Sequence, residues 1–223
     1  MSTAVSIERG AQIATEALNS QHLSPAYYLR ADTAPVVSNR CVHDLLAANK
    51  LKSLGRGLVD GDQVEEIFRR TRVIDGTSLS ILRVSIKPPE PSGPCDPLPS
   101  GRKREQIGWD FDNESDLGWN DRWAGIAGVW PLSEESLRRA MRLEAYFMPS
   151  MKGFVDGVLI KRVSGYYLDL TSGSSKRRWV QTRNLEGNER DYVLPQENGR
   201  EPRWDHAWVN VPQGVTATLT EQA

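Results

Sequence analysis

Apolar residues recur at helical spacing in three stretches before residue 75. Over 6–20, Ile7, Ala11, Ala14, Ala17 and Leu18 line one side, with Ser6 placed to cap and Glu8 in the first turn. Over 38–52 the stripe is Val42, Leu45, Leu46 and Leu51. Ser38 or Asn39 caps that helix, Lys50 and Lys52 suit its negative C-terminal end, and Gly55 and Gly57 stop it. Over 61–71, Val64, Ile67 and Phe68 turn inward behind an Asp62 cap. Residues 25–30, with Tyr27 and Tyr28, read as a short aromatic strand after a turn.

The period then changes from helical to alternating. Residues 78–86 alternate and are rich in β-branched side chains, the signature of a strand. Residues 87–101 hold six of the chain's thirteen prolines, so a ladder or helix is excluded there and an exposed loop is expected. The basic run Arg102-Lys103-Arg104 follows, then an acid-rich stretch to Asn120. A helix is expected over 133–145: Ser133 caps it, Glu134 and Glu135 open it, and Arg138, Arg139 and Arg142 follow, matching the helix dipole. Strands are expected after Pro149, over 152–163, 165–170 and 177–183, with a turn at 171–176 and a last strand near 206–211. These elements predict an α+β protein: a mainly helical region 1–77, a β-rich domain 78–211 and a loose tail 212–223.

Composition narrows the classes. A chain of 223 residues buries roughly 70% of its unfolded surface and needs no disulfide or metal staple. Its two cysteines, Cys41 and Cys95, make neither a disulfide framework nor a thiolate zinc site, which points to a reducing cytoplasm. No apolar leader and no membrane-length apolar run is present. The formal net charge of −1 gives no global pull on nucleic acid, leaving only a local basic patch. All seven tryptophans lie between Trp109 and Trp208. Such a concentration builds either a dense β-rich core or an aromatic pocket for a flat ligand.

Few motifs carry chemistry. Phosphate-cradling glycine motifs are missing, so no nucleotide cofactor is expected. The oxygens from Asp110 to Asp121 approach a calcium loop, but Ser115 stands where Gly is needed and Asp121 where a bidentate Glu is needed; a solvated acidic loop is the better reading, and no metal is expected. Cys41 and His43 diverge by about 200° on a helix and read as ordinary helix residues. Asp110, Asp112, Glu114 and His206 are the weak candidates for acid–base catalysis, although Asp205 and His206 point to opposite faces of a strand. The richest constellation is Lys176-Arg177-Arg178-Trp179-Val180-Gln181-Thr182-Arg183. On a strand, Arg177, Trp179 and Gln181 share a face at about 7 Å intervals. They offer a phosphate contact, a stacking ring and an amide for a base edge. The competing reading is a core Trp flanked by solvated arginines.

The order of segments has a familiar pattern. Trp123-Ala124-Gly125-Ile126-Ala127-Gly128-Val129-Trp130-Pro131-Leu132-Ser133 leads into a helix with Arg138 and Arg139. A strand with Gly153, Val155, Gly157 and Val158 comes next, then Arg178-Trp179, then His206-Ala207-Trp208-Val209-Asn210 as a return strand. Over roughly 79–211 the chain resembles the PUA-like domains of the EVE, ASCH and YTH class, found alone or appended to restriction-type endonucleases. The Pro-rich loop and Asp205-His206 depart from that pattern. The resemblance implies a small twisted mixed β-barrel that recognises nucleic acid, often a modified or flipped base in an aromatic pocket. Trp130 and Trp179 are the rings expected to hold the base, with Arg177, Arg178, Gln181 and Arg183 around them. Three readings stand in order: a DNA- or RNA-binding module, a nuclease or base-processing hydrolase, and a protein-interaction module.

Overall fold

Side-chain caps set where the helices begin. In the computed structural model, which describes residues 3–20, 35–74, 79–91, 106–112, 119–128, 130–168, 178–196, 204–209 and 217–220, Ser6 Oγ accepts from Arg9 N at 3.2 Å, Ser38 Oγ from Cys41 N at 3.1 Å and Ser133 Oγ from Ser136 N at 3.0 Å. These three caps are those expected. The third helix is capped by Asp60, not Asp62, with Asp60 Oδ1 accepting from the amides of Asp62 and Gln63.

In chain order the elements are β1 (Ala4–Ser6), α1 (Ile7–Ser20), α2 (Asn39–Ala47), β2 (Leu58–Asp60), α3 (Gly61–Arg69), β3 (Thr71–Ile74), β4 (Ile81–Ser85), β5 (Glu90–Pro91) and β6 (Gln106–Ile107). There follow α4 (Trp119–Ala127), α5 (Glu134–Arg142), β7 (Tyr146–Ser150), β8 (Phe154–Asp156), a 3₁₀ turn (Gly157–Leu159), β9 (Lys161–Leu168), β10 (Arg178–Arg183), α6 (Glu189–Val193), β11 (His206–Val209) and β12 (Ala217–Thr220). The α+β class stands. The expected strand at 25–30 and turn at 171–176 lie outside the described residues.

Five strands form a mixed sheet in the order β10-β9-β7-β4-β12, with β4 and β7 parallel and the other neighbours antiparallel. A second sheet, β3-β11-β8, has β11 parallel to β3 and antiparallel to β8. Both are open, and no sheet among the described residues closes into a barrel. The pleat sorts the small sheet cleanly. Ile74, Val155, Ala207 and Val209 face one core, shared with Ile81, Tyr146 and Met148 of the large sheet. Phe154 and Trp208 face the other way, toward Phe68 of α3 at ring distances of 5.7 and 6.2 Å.

That larger core joins both halves of the chain. Leu18, Val42, Leu45 and Phe68 from α1–α3 pack in one cluster with Leu82, Phe147, Ile126, Leu137 and Trp208. Gly10 shows how closely the helices meet β2: a Cβ there would stand 3.0 Å from the Val59 side chain. Cys41 is buried in this core, its Sγ 3.6 Å from the Met151 carbonyl, and burial pushes its thiol pKa up.

Several boundaries differ from expectation: the expected strand 152–163 divides into β8, the 3₁₀ turn and the start of β9, which runs on through 164 to Leu168. The second helix stops at Ala47, because Asn49 takes a left-handed φ of 59° and turns Lys50 off the helix. Glu90 and Pro91 pair with β6 despite the proline density, in a two-residue exposed ladder where a missing N–H is tolerated. Pro149 sits inside β7 rather than before the strands: β9 pairs with β7 only at Tyr146 and Phe147, so Pro149 owes β9 no hydrogen bond. Residues 217–220, expected within a loose tail, form β12 on the edge of β4.

Candidate functional site

The helix α4 was not foreseen, and it builds the densest aromatic and cationic cluster among the described residues. Trp119 and Trp123 stand four residues apart, so they share a helix face. Their rings stack at 6.2 Å with planes 13° apart. Trp109 meets Trp119 edge-on at 5.3 Å, and Trp123 meets Phe147 of β7 edge-on at 5.9 Å, which ties the stack to the large sheet. Trp123 is half-buried, whereas Trp119 is 45% exposed.

Two cations are woven into these rings. The Lys161 ammonium, at the start of β9, lies 4.6 Å from the Trp123 ring centre and 5.5 Å from that of Trp119. The Arg122 guanidinium lies 4.6 Å from the Trp109 ring centre. Both residues are buried, at 8% and 6% exposure. Lys161 donates to the Asn184 side-chain oxygen, and Arg122 donates to the Asp110 carbonyl. Both acceptors are neutral. No carboxylate among the described residues pairs with either cation. Burial accordingly lowers the Lys161 pKa. Cation–π contact offsets part of the desolvation, at roughly 0.5–2 kcal/mol per contact, but burying an ion costs several kcal/mol.

The residues expected to bind a base are placed otherwise. Trp179 is only 5% exposed and packs on Gly128, where a Cβ would stand 2.2 Å from the indole. It is a core ring, which corrects the expectation that it faces a ligand. Trp130 is half-buried, its Nε1 donates to the Ile126 carbonyl at 3.0 Å, and its backbone bridges Arg178 on the outer edge of β10. Arg178 is itself buried. The Gln181 amide donates to the Tyr167 hydroxyl, and the register slips between Gln181 and Thr182, which breaks the simple alternation expected for this strand. Arg183 forks onto Glu189 at 2.7 and 2.9 Å; its hydrogen bonds are the main reason that carboxyl sits at about 2. Arg177 lies outside the described residues. Among the described residues of β10, then, Trp179 packs in the core, and Gln181 and Arg183 are engaged by Tyr167 and Glu189.

The acid–base candidates separate as well. Asp110 Oδ1 accepts from Asn49 Nδ2 at 2.8 Å and from the Asp112 amide at 2.9 Å, a local turn on the surface. Glu114 lies outside the described residues. No group of three or more His, Cys, Asp and Glu suited to a metal is present among the described residues. His206 faces Asp156 across β8 and β11, with Nδ1 3.7 Å from Asp156 Oδ2, rather than its chain neighbour Asp205. Lys50 holds that same Asp156 oxygen, and Asp156 Oδ1 caps the 3₁₀ turn through Val158 N at 3.0 Å. Asp205 pairs instead with Arg70. Burial is the chief cause that lowers the His206 pKa to about 4, so the ring is neutral at pH 7.

No family model, no curated protein and no solved structure matches this chain. Function therefore rests on geometry. No helix among the described residues is long and apolar enough to cross a membrane. Sequence reasoning passed over Trp119, Trp123, Arg122 and Asn184. The available signal was the Trp119-x-x-x-Trp123 spacing, which puts two indoles on one helix face and was hidden by the acidic residues before it.

Proposed function

We propose that this protein is a nucleic-acid-binding module that stacks an unpaired base on Trp119. The observation that carries this reading is one indole left 45% exposed on top of a second indole, with a buried ammonium against both. Every base has a π-face, and stacking on an aromatic side chain contributes about 1–3 kcal/mol per base regardless of sequence. An overall charge of −1 does not gather a polyanion, so the attraction has to be local, and Lys161 and Arg122 supply it. A base inside a duplex is already stacked and paired, which favours a single strand or a flipped base.

The PUA-like resemblance implies the same class of ligand, with the aromatic role passing from Trp130 and Trp179 to Trp119. Titration of short labelled single-stranded DNA and RNA, followed by anisotropy and tryptophan quenching at two salt concentrations, tests the reading. Binding is expected to quench the fluorescence and to weaken with salt, by a log–log slope of about −0.7 for each phosphate contacted. An absence of binding, or binding indifferent to salt, overturns it.

A further inference from the structure

We infer that the Lys161 ammonium seats the phosphate of the nucleotide whose base stacks on Trp119. This inference rests on the base-stacking reading and gives it a charge partner. Four other cations of the fold are matched by carboxylates: Lys50 with Asp156, Arg70 with Asp205, Arg162 and Arg183 with Glu189. Lys161 is nine-tenths buried and has an amide oxygen and two indoles instead. With no described carboxylate beside it, a cation this buried is costly to the fold, and an anion arriving from outside removes that cost.

The position fits a nucleotide in particular. The ammonium lies 5.5 Å from the centre of the exposed ring, and a nucleotide carries its phosphate one sugar away from its flat base. A neutral acceptor on a base edge would take a hydrogen bond but leave the charge uncompensated. A phosphate supplies both, and charge-assisted hydrogen bonds to phosphate are the stronger kind. Lysine suits this role as a compact point charge. Asn184 then holds the ammonium in place through its side-chain oxygen.

The test compares a nucleoside, its 5′- and 3′-monophosphates and inorganic phosphate on the full chain, by tryptophan quenching and calorimetry. A monophosphate is expected to bind roughly tenfold or more tightly than the nucleoside, with inorganic phosphate alone weaker than either monophosphate. Asn184→Asp places a carboxylate on Lys161 where the amide stands. That variant is expected to raise the melting temperature, keep nucleoside binding, and bring the monophosphate-to-nucleoside ratio close to one. Lys161→Gln serves as a second variant with the same expected loss of ratio. Equal binding of nucleoside and monophosphate by the natural chain, or a ratio that survives both substitutions, overturns the inference. If Trp119→Ala weakens oligonucleotide binding while Asn184→Asp leaves the phosphate preference intact, the base-stacking reading stands and the Lys161 assignment falls. If no oligonucleotide or nucleotide quenches the protein at all, both fall.

Discussion

Lys50 and Lys161 both carry an ammonium into the fold, one against the three-stranded sheet and the other against the five-stranded sheet. Their surroundings differ in kind. Lys50 reaches from the end of α2 to Asp156, whose second oxygen caps a turn and whose strand neighbour is a neutral histidine. Every charge there has a partner, and the cluster joins the helical region to β8 and β11. Lys161 meets an amide, two indoles and no described carboxylate, beside a ring open to solvent. A closed ion pair is what a fold uses to hold elements together. A buried cation set among aromatics with no described carboxylate bears its desolvation without an ion pair, and this is the feature on which the proposed nucleotide seat rests.

The largest expected effect lies on the closed side. Asp156→Ala strips Lys50 and the 3₁₀ turn of their acceptor together. Losing one member of a buried pair costs about 3–5 kcal/mol, and loss of a cap adds about 1 kcal/mol. Urea unfolding should show a destabilisation of about 4 kcal/mol with little change in nucleotide binding. A cost under about 1 kcal/mol would show that Lys50 is no better anchored than Lys161, and the contrast would fail.

The neighbouring histidine gives the next effect, read through pH. His206 is held neutral chiefly by burial; Lys50 and Arg70 also lower its pKa, while Asp156 and Asp205 oppose them, leaving it at about 4. The unfolded chain takes up this proton near pH 6.5 and the folded chain does not. Stability from this group is therefore complete above pH 6.5 and is lost as the pH falls toward 4. The loss amounts to about 3 kcal/mol, at about 1.4 kcal/mol per pH unit. His206→Gln removes the titration. Unfolding free energies measured from pH 7 to 4 should fall less steeply in that variant than in the natural chain, and equal slopes would show the ring to be freely protonated.

How much of this was legible depends on range along the chain. The caps Ser6, Ser38 and Ser133 were readable because a cap and its amide lie three residues apart. So was the strand centred on Ile81–Ser85, from its own alternation. β7 was not: Tyr146–Ser150 is buried throughout, so no polar face marks it, and Pro149 argued against it. β12 was missed because its place is set by β4, more than half the chain away. The pairing of His206 with Asp156 needs the register of β8 on β11, which spacing alone does not reveal. The tryptophan-rich second half drew attention to Trp130 and Trp179, whereas the stacked pair is Trp119 and Trp123. Strand alternation put Trp179 on a face with Arg177 and Gln181, against the competing reading of a core ring; Gly128, with no side chain to keep the ring away, lets it sink into the core.

The smallest expected effect on stability falls on the open side, and it separates ligand from fold. Trp119→Leu keeps apolar bulk on α4 while removing the π-face and its contacts with Trp109 and Trp123. Aromatic pairs contribute about 0.5–1.5 kcal/mol beyond their burial. With nearly half of the side chain already in water, unfolding should shift by about 1 kcal/mol. Oligonucleotide affinity should fall about tenfold or more, the loss of one base stacked on one ring. Trp123→Leu is the control: its ring touches Phe147 and Lys161, so its cost should fall more heavily on stability. If Trp119→Leu cost as much stability as Trp123→Leu and left affinity unchanged, Trp119 would be the outer edge of the core. Lys161, with no described carboxylate beside it, would then need an anion that no base brings.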